Sequence, residues 1–329
     1  MYCLSMRQFP YSILFVLLLF ATTSVASESQ CSYCGKAITA SYVSADGKIY
    51  HEDCYQDHVQ PRCAHCGKLI EGQYNLSENK TYHPSCFTNH ILPRCAICDG
   101  PLQGKYYTDY WGNSFHASHS SELHECSTCG RLICEELTRG GFELTDGRYL
   151  CGICNETAVE GEFLLEASLS YVRRLLESNG IDNLPDDISI TLVDQRELKQ
   201  LSTSYSDAMH GFTENNIQTR NGQVYSKDSH IYILSHLPLS MFRAVLAHEL
   251  LHVYLFGRDL ELKSDIREGF CNLGSELIYK NTSSEYARFR LLNMEKSQDP
   301  NYGYGYRKMS RLLDQRGWRY LLDSLDQIK

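Results

Sequence analysis

The stretch Ala244-Val245-Leu246-Ala247-His248-Glu249-Leu250-Leu251-His252-Val253-Tyr254-Leu255 decides how the second half of this chain is read. Two histidines four residues apart on a helix lie one turn apart on one face, where both imidazoles can reach a single metal ion. The intervening Glu249 is then set to act on a water bound to that ion. Ser240, after Leu237-Pro238-Leu239, is the expected N-cap, and Gly257 the expected residue just past the helix. His230-Ile231-Tyr232-Ile233-Leu234 is β-branched and aromatic and reads as a strand leading into the helix. The competing reading is an ordinary core helix with two satisfied histidines.

A catalytic zinc takes three protein ligands and keeps one position open. Of the downstream acids Glu261, Asp265 and Glu268, the last is the best third ligand, on a helix expected from about Ser264 to Tyr279. Asn272 follows it by one turn and is a candidate hydrogen-bond partner for a ligand imidazole. The expected chemistry is zinc-dependent hydrolysis of peptide bonds, with Glu249 as general base on a zinc-bound water. A second donor is needed for the oxyanion. His210, Tyr205, Tyr279 and Tyr304, with its neighbours Tyr302 and Tyr306, are the candidates, and spacing does not choose among them.

Gly211-Phe212-Thr213, Leu234-Ser235-His236-Leu237-Pro238, the HELLH segment and Glu268-Gly269-Phe270-Cys271-Asn272 resemble the peptidase domain of the DA1 family. These are gluzincin-type zinc peptidases with LIM-type zinc modules upstream. The resemblance covers roughly residues 160–329 as a domain. It implies zinc on His248, His252 and Glu268, with Glu249 as the base. The ubiquitin-interacting segments of the plant members have no counterpart here, so their substrates and activation are not carried over. The competing function is a non-catalytic, zinc-module scaffold carrying an inactive peptidase-like domain.

Twelve of the 15 cysteines fall into a fourfold repeat with four histidines. The groups are Cys31, Cys34, His51, Cys54; Cys63, Cys66, His83, Cys86; Cys95, Cys98, His116, His119; and Cys126, Cys129, Cys151, Cys154. Each offers four N/S donors, which suits a closed structural zinc site, so up to four structural ions are expected beside one catalytic ion. Cys-Gly-Lys/Arg recurs at Cys34, Cys66 and Cys129, whereas the third module has Cys98-Asp99-Gly100. An aromatic precedes the second ligand pair at Tyr50, Tyr82 and Phe115, and is expected to pack beneath the site. The modules resemble half-LIM units, but six to eight residues separate them where LIM pairs have two. They are expected to bind a protein partner or hold the peptidase domain. Cys271 is expected to pack in the core.

Met1–Ala26 reads as a secretory leader: Arg7, the apolar run Ile13–Ala21, then Ser24-Val25-Ala26 as the cleavage site. Export to a periplasm or the outside is therefore expected, with an uncleaved anchor as the alternative and no stable membrane span otherwise. Export would ordinarily pair cysteines as disulfides; histidines at ligand spacing favour zinc, and both readings stay open. A net charge of −9 and no basic stripe argue against nucleic acid as a partner and leave a protein or peptide substrate. The expected architecture is α+β: residues 1–26 leader, 27–155 four tandem LIM-like modules, 156–329 a zincin-type domain. Helices are expected at 156–180, 194–202 and 309–328, the last broken at Gly317, with a strand at 188–193 and a glycine-rich aromatic loop at 302–306.

Overall fold

The computed structural model describes residues 29–203 and 205–328, with backbone alone at Ser5–Gln8 and Ser12–Leu14. The cleavage site at Ser24-Val25-Ala26 and most of the leader lie outside the described residues. The chain is a mixed α+β protein that divides into two compact units, 1–122 and 123–329. That division puts the fourth cysteine group in the second unit, beside the HELLH segment.

The first unit repeats one small design three times. The first ligand pair sits on a tight knuckle closed by isolated bridges, Gln30 to Ala37, Arg62 to Leu69 and Arg94 to Pro101. The residue after the second cysteine must turn left-handed, and it is Gly35 (φ 72°), Gly67 (φ 74°) or Asp99 (φ 55°). Aspartate is among the few side chains that tolerate this region, which explains how the third module departs from Cys-Gly without changing shape. A hairpin then carries the second pair, as in Tyr42–Ala45 with Lys48–His51. Tyr50, Tyr82 and Phe115 are buried beneath the clusters, as their position before the ligands predicts.

In the second unit a three-stranded sheet has Gln223–Leu234 at its centre. Ser189–Val193 pairs parallel to it, and Gly211–Arg220 pairs antiparallel, with a bulge between Gln218 and Thr219. Only one end of this sheet reaches the core, where Ile231 and Ile233 are fully buried. Against it packs the Leu239–Gly257 helix, flanked by helices Glu162–Glu177 and Ser264–Lys280. Among the described residues this is the one helix long and apolar enough to cross a membrane. Its apolar side chains from Met241 to Leu255 are buried in the core of the unit, apart from the partly buried Val245, which accounts for that composition.

Several local expectations shift. Ser240 does not cap the HELLH helix, which starts at Leu239 after Pro238 and has no side-chain cap. The first long helix starts at Glu162 and not at Glu156, because Ala158–Val159 pairs with Leu237–Pro238. The short helix Gln195–Leu201 has a full capping box from Asp194 and Glu197. An additional helix, Glu285–Lys296, is capped by Ser284. The aromatic segment is a single wide turn, Pro300–Gly305, and the closing helix breaks at Gly317 (φ 77°).

Candidate functional site

His248 and His252 project from one face of the buried HELLH helix, as their spacing requires. The Ser264–Lys280 helix crosses close by because Gly274 has no side chain: a Cβ there would stand 2.8 Å from the Ala247 carbonyl oxygen. Ser275 Oγ donates to the Ala244 carbonyl at 2.8 Å and pins the crossing. Nearly two turns earlier, this brings the Glu268 carboxylate onto the two imidazoles.

The three donor atoms form a near-equilateral triangle. His248 Nε2 and His252 Nε2 are 3.2 Å apart, and Glu268 Oε2 is 3.4 Å from each. A tetrahedral ion with bonds near 2.0–2.1 Å needs its donors roughly 3.3–3.4 Å apart. Glu268 Oε2 is buried and has no hydrogen-bond partner, while Oε1 accepts from Arg267 Nε at 3.1 Å. An orphaned carboxylate oxygen facing two imidazole nitrogens fits a cation. Burial opposes the charge on Glu268, yet the two imidazoles outweigh it and hold the carboxyl far below its usual range. His248 is desolvated, but Glu268, Glu249 and Asn272 together raise its pKa.

The outer groups are also in place. His248 Nδ1 lies 3.1 Å from Asn272 Oδ1, an acceptor, so Nδ1 carries the hydrogen and Nε2 presents its lone pair. Asn272 Nδ2 donates in turn to the Tyr302 carbonyl at 3.0 Å. Glu249 is buried, and its Oε2 accepts from Thr213 Oγ1 at 2.6 Å. Its Oε1 lies against Gly211, where a Cβ would stand 2.9 Å away. Thr213 and Gly211 thus seat Glu249; the sequence marked them only as part of a family-like segment.

The oxyanion candidates separate. Tyr302 stands at the site, its ring stacked on His248 with 6.2 Å between centroids. Tyr302 is partly open to solvent, but the desolvation of its phenol on the site side, then the charges of Glu268 and Glu249, raise it well above the usual range. Tyr304, two residues on, instead donates to Gln298 Oε1 at 3.1 Å and is exposed. Tyr279 is buried beside Arg290, and Tyr205 lies against Lys199 and Asp207. His210 precedes Gly211, so strand alternation turns it away from Glu249; burial, with Arg290 and Arg148, pushes its pKa down to about 3. Cys271 is fully buried, its thiol pushed well up by burial and by Glu268 and Glu249. It also lies with His248 and His252 in a group whose ligand atoms are all within 4.8 Å.

The four cysteine groups each converge within 4.8 Å and could hold a metal ion. Bonds near 2.3 Å to sulfur and 2.05 Å to nitrogen put S and N about 3.6 Å apart and two sulfurs about 3.8 Å apart. Cys34 Sγ and Cys54 Sγ lie 3.5 and 3.8 Å from His51 Nδ1. Cys66 and Cys86 lie 3.4 and 4.0 Å from His83 Nδ1, and Cys98 lies 3.4 Å from His116 Nδ1. Cys129 and Cys151 are 3.8 Å apart. In each of the first three modules the other ring nitrogen meets a backbone carbonyl, at Ala37, Leu69 or Pro101, which selects the Nδ1 lone pair for the cluster. His119 is reversed: Nδ1 pairs with Glu122 at 3.2 Å, and the buried Nε2 has no hydrogen-bond partner. Backbone N–H groups aim at the sulfurs; against burial, they bring the Cys31 and Cys63 thiols down to about 6. None of the 14 described cysteines is paired in a disulfide.

No family model matches this chain, and no curated protein matches it.

Proposed function

We propose that this chain is a zinc peptidase of the type its resemblance to the DA1 family implies, with four further zinc ions holding its cysteine modules. The observation that carries the reading is the triangle of His248 Nε2, His252 Nε2 and the orphaned Glu268 Oε2. These three residues would hold the catalytic zinc, which when bound supplies a Lewis acid for the scissile carbonyl and lowers the pKa of water. Three donors with a partly open side differ from the closed four-donor sets of the modules in the way catalytic sites differ from structural ones.

Glu249 is the general base. Thr213 fixes one carboxylate oxygen, so the other is left to take the proton of the attacking water. As the water oxygen bonds to the carbonyl carbon and the C–N bond breaks, Glu249 passes that proton to the leaving amine. Asn272 holds the His248 ring in the orientation that presents Nε2. Tyr302, whose phenol is pushed up by desolvation and by the Glu268 and Glu249 charges, is the donor for the developing oxyanion. The substrate is a protein or peptide. Export through the N-terminal segment remains part of the proposal.

The test is metal content with turnover of denatured casein. The five donor groups predict about five zinc equivalents per chain. Glu249→Gln should keep them all and lose turnover. Retained turnover in that variant, or about four equivalents with none released by His248→Ala, would reject the enzyme reading in favour of a scaffold.

A further inference from the structure

The fourth cysteine group belongs to the same compact unit as the HELLH helix, and two sets of bonds join them. The first is backbone. Thr157, Ala158 and Val159 follow closely on the last ligand, Cys154. The Leu239 N–H donates to the Thr157 carbonyl at 2.8 Å, and the His236 N–H to the Val159 carbonyl at 2.9 Å. Leu239 is the first residue of the HELLH helix, which has no side-chain cap. Its first amide, one of the four that every helix leaves unpaired, is therefore satisfied by the segment that the fourth group anchors. His236 in that turn adopts φ 62°, a left-handed conformation that a histidine keeps only when its surroundings hold it.

The second set is a buried ion pair. Arg148 lies on the hairpin between the two cysteine pairs of the module and is 8 % exposed. Its Nε donates to Asp146 Oδ2 at 2.8 Å, and its terminal nitrogen donates to the Ser235 carbonyl at 3.1 Å. Asp146 Oδ2 also accepts the Gln195 N–H at 2.9 Å, at the start of the capped helix Gln195–Leu201. Burial opposes ionisation of Asp146, but these N–H groups and the guanidinium keep its carboxyl below the usual range. A desolvated pair with its hydrogen bonds made is a stiff joint, and losing one partner strands the other.

We infer that the fourth cysteine module is a built-in brace of the peptidase unit, and that Arg148 is the positioning residue through which it sets the Ser235–Leu239 turn and the start of the HELLH helix. The module thus stands in for the missing helix cap. A metal held by this module would serve the catalytic centre without touching substrate. The activity arm of the test rests on the proposed peptidase function; the exchange arm does not.

The experiment compares Arg148→Met, which keeps the apolar stem and loses every donor, with Arg148→Lys and with Arg139→Met. Arg139 pairs with Glu156 on the exposed side of the same module and is the control. Arg148→Met should keep its zinc equivalents while the amides of His236 and Leu239 exchange about 10-fold faster or more. Its kcat on denatured casein should fall about 10- to 100-fold at nearly constant KM. Lysine should restore part of both effects, and Arg139→Met should change neither. Wild-type exchange at both amides in Arg148→Met overturns the brace. If that variant does not fold, Arg148→Lys decides alone, since wild-type exchange there overturns it equally. If wild-type protein does not cleave casein, the peptidase reading falls, while the exchange result still decides the brace.

Discussion

Gly211→Ala tests whether Glu249 is the working base and whether its seat is as tight as its surroundings indicate. The added Cβ would stand 2.6 Å from Val245 Cγ1, 2.9 Å from Glu249 Oε1 and 3.1 Å from Glu249 Cγ, where ordinary contacts begin at 3.4 Å. The shortfalls are about 0.8, 0.5 and 0.3 Å against those limits. Glu249 has little freedom to yield, because its Oε2 is already bonded to Thr213 at 2.6 Å on the same strand. Either the strand moves off the helix or Glu249 leaves Thr213. Overpacking of this kind costs about 1–3 kcal/mol of stability. A base displaced by about half an ångström costs on the order of 10- to 100-fold in rate. The metal donors sit on the two crossing helices and are not touched. The assay measures kcat on denatured casein, zinc equivalents and thermal stability side by side, with Thr219→Ala on the exposed end of the strand as control. The expected result is a large loss of kcat at full metal content. A stable Gly211→Ala with undiminished kcat refutes the role of Glu249. A loss of rate that follows loss of metal refutes the claim that the substitution leaves the metal donors untouched.

Asn272→Ala should weaken metal at the His248/His252 site about 10- to 100-fold by releasing the His248 ring, as read by chelator competition; unchanged affinity would refute the role of the 3.1 Å bond. His210 makes the fold acid-sensitive. Its folded pKa of about 3 lies below the ordinary 6.5, so the unfolded chain takes up the proton first, and stability is lost as pH falls from 6.5 toward 3. At pH 5 the loss is at most ~2 kcal/mol. His210→Gln should lack that component, and parallel wild-type and variant urea midpoints between pH 7 and 5 would count against it. Gly67→Ala, at φ 74°, should destabilise the second module by about 1 kcal/mol, whereas Asp99→Gly should stabilise the third by a comparable amount. Chelator titration of both reads the difference, and equal behaviour would dismiss the shared left-handed turn.

What was legible in the sequence is what depends on short separations. Four-residue spacing brings His248 and His252 to one helix face, and the same interval brings Glu268 and Asn272 to one face of the next. Ligand pairs separated by two residues form knuckles, and the repeat of 31 or 32 residues reads directly as a module length. What was hidden depends on partners far along the chain. Ser240 has the right chemistry for a cap, but the Thr157 carbonyl already satisfies the Leu239 amide. For the same reason the helix foreseen from Glu156 gives up its first turn: Ala158 and Val159 are needed as the second strand of that ladder.

The three tyrosines at 302, 304 and 306 show the same division at the site itself. They are chemically identical and evenly spaced, so no local rule ranks them. Their ranking comes from Gly303 and Gly305, which fit where any Cβ would run into backbone: 2.3 Å from the Ser297 carbonyl oxygen and 2.1 Å from that of Asp265. These close approaches, with Asp299 capping the turn, seat the segment against the Glu268 helix. Asn272 then takes the Tyr302 carbonyl, and the Tyr302 ring falls on His248. Tyr304 faces outward under Arg307, 4.4 Å from its ring centroid, and Tyr306 is buried near Glu276. Tyr302→Phe should therefore slow casein turnover about 100-fold with metal content intact, and Tyr304→Phe should leave it unchanged. Equal effects of the two would show that the glycine-set turn does not select the donor.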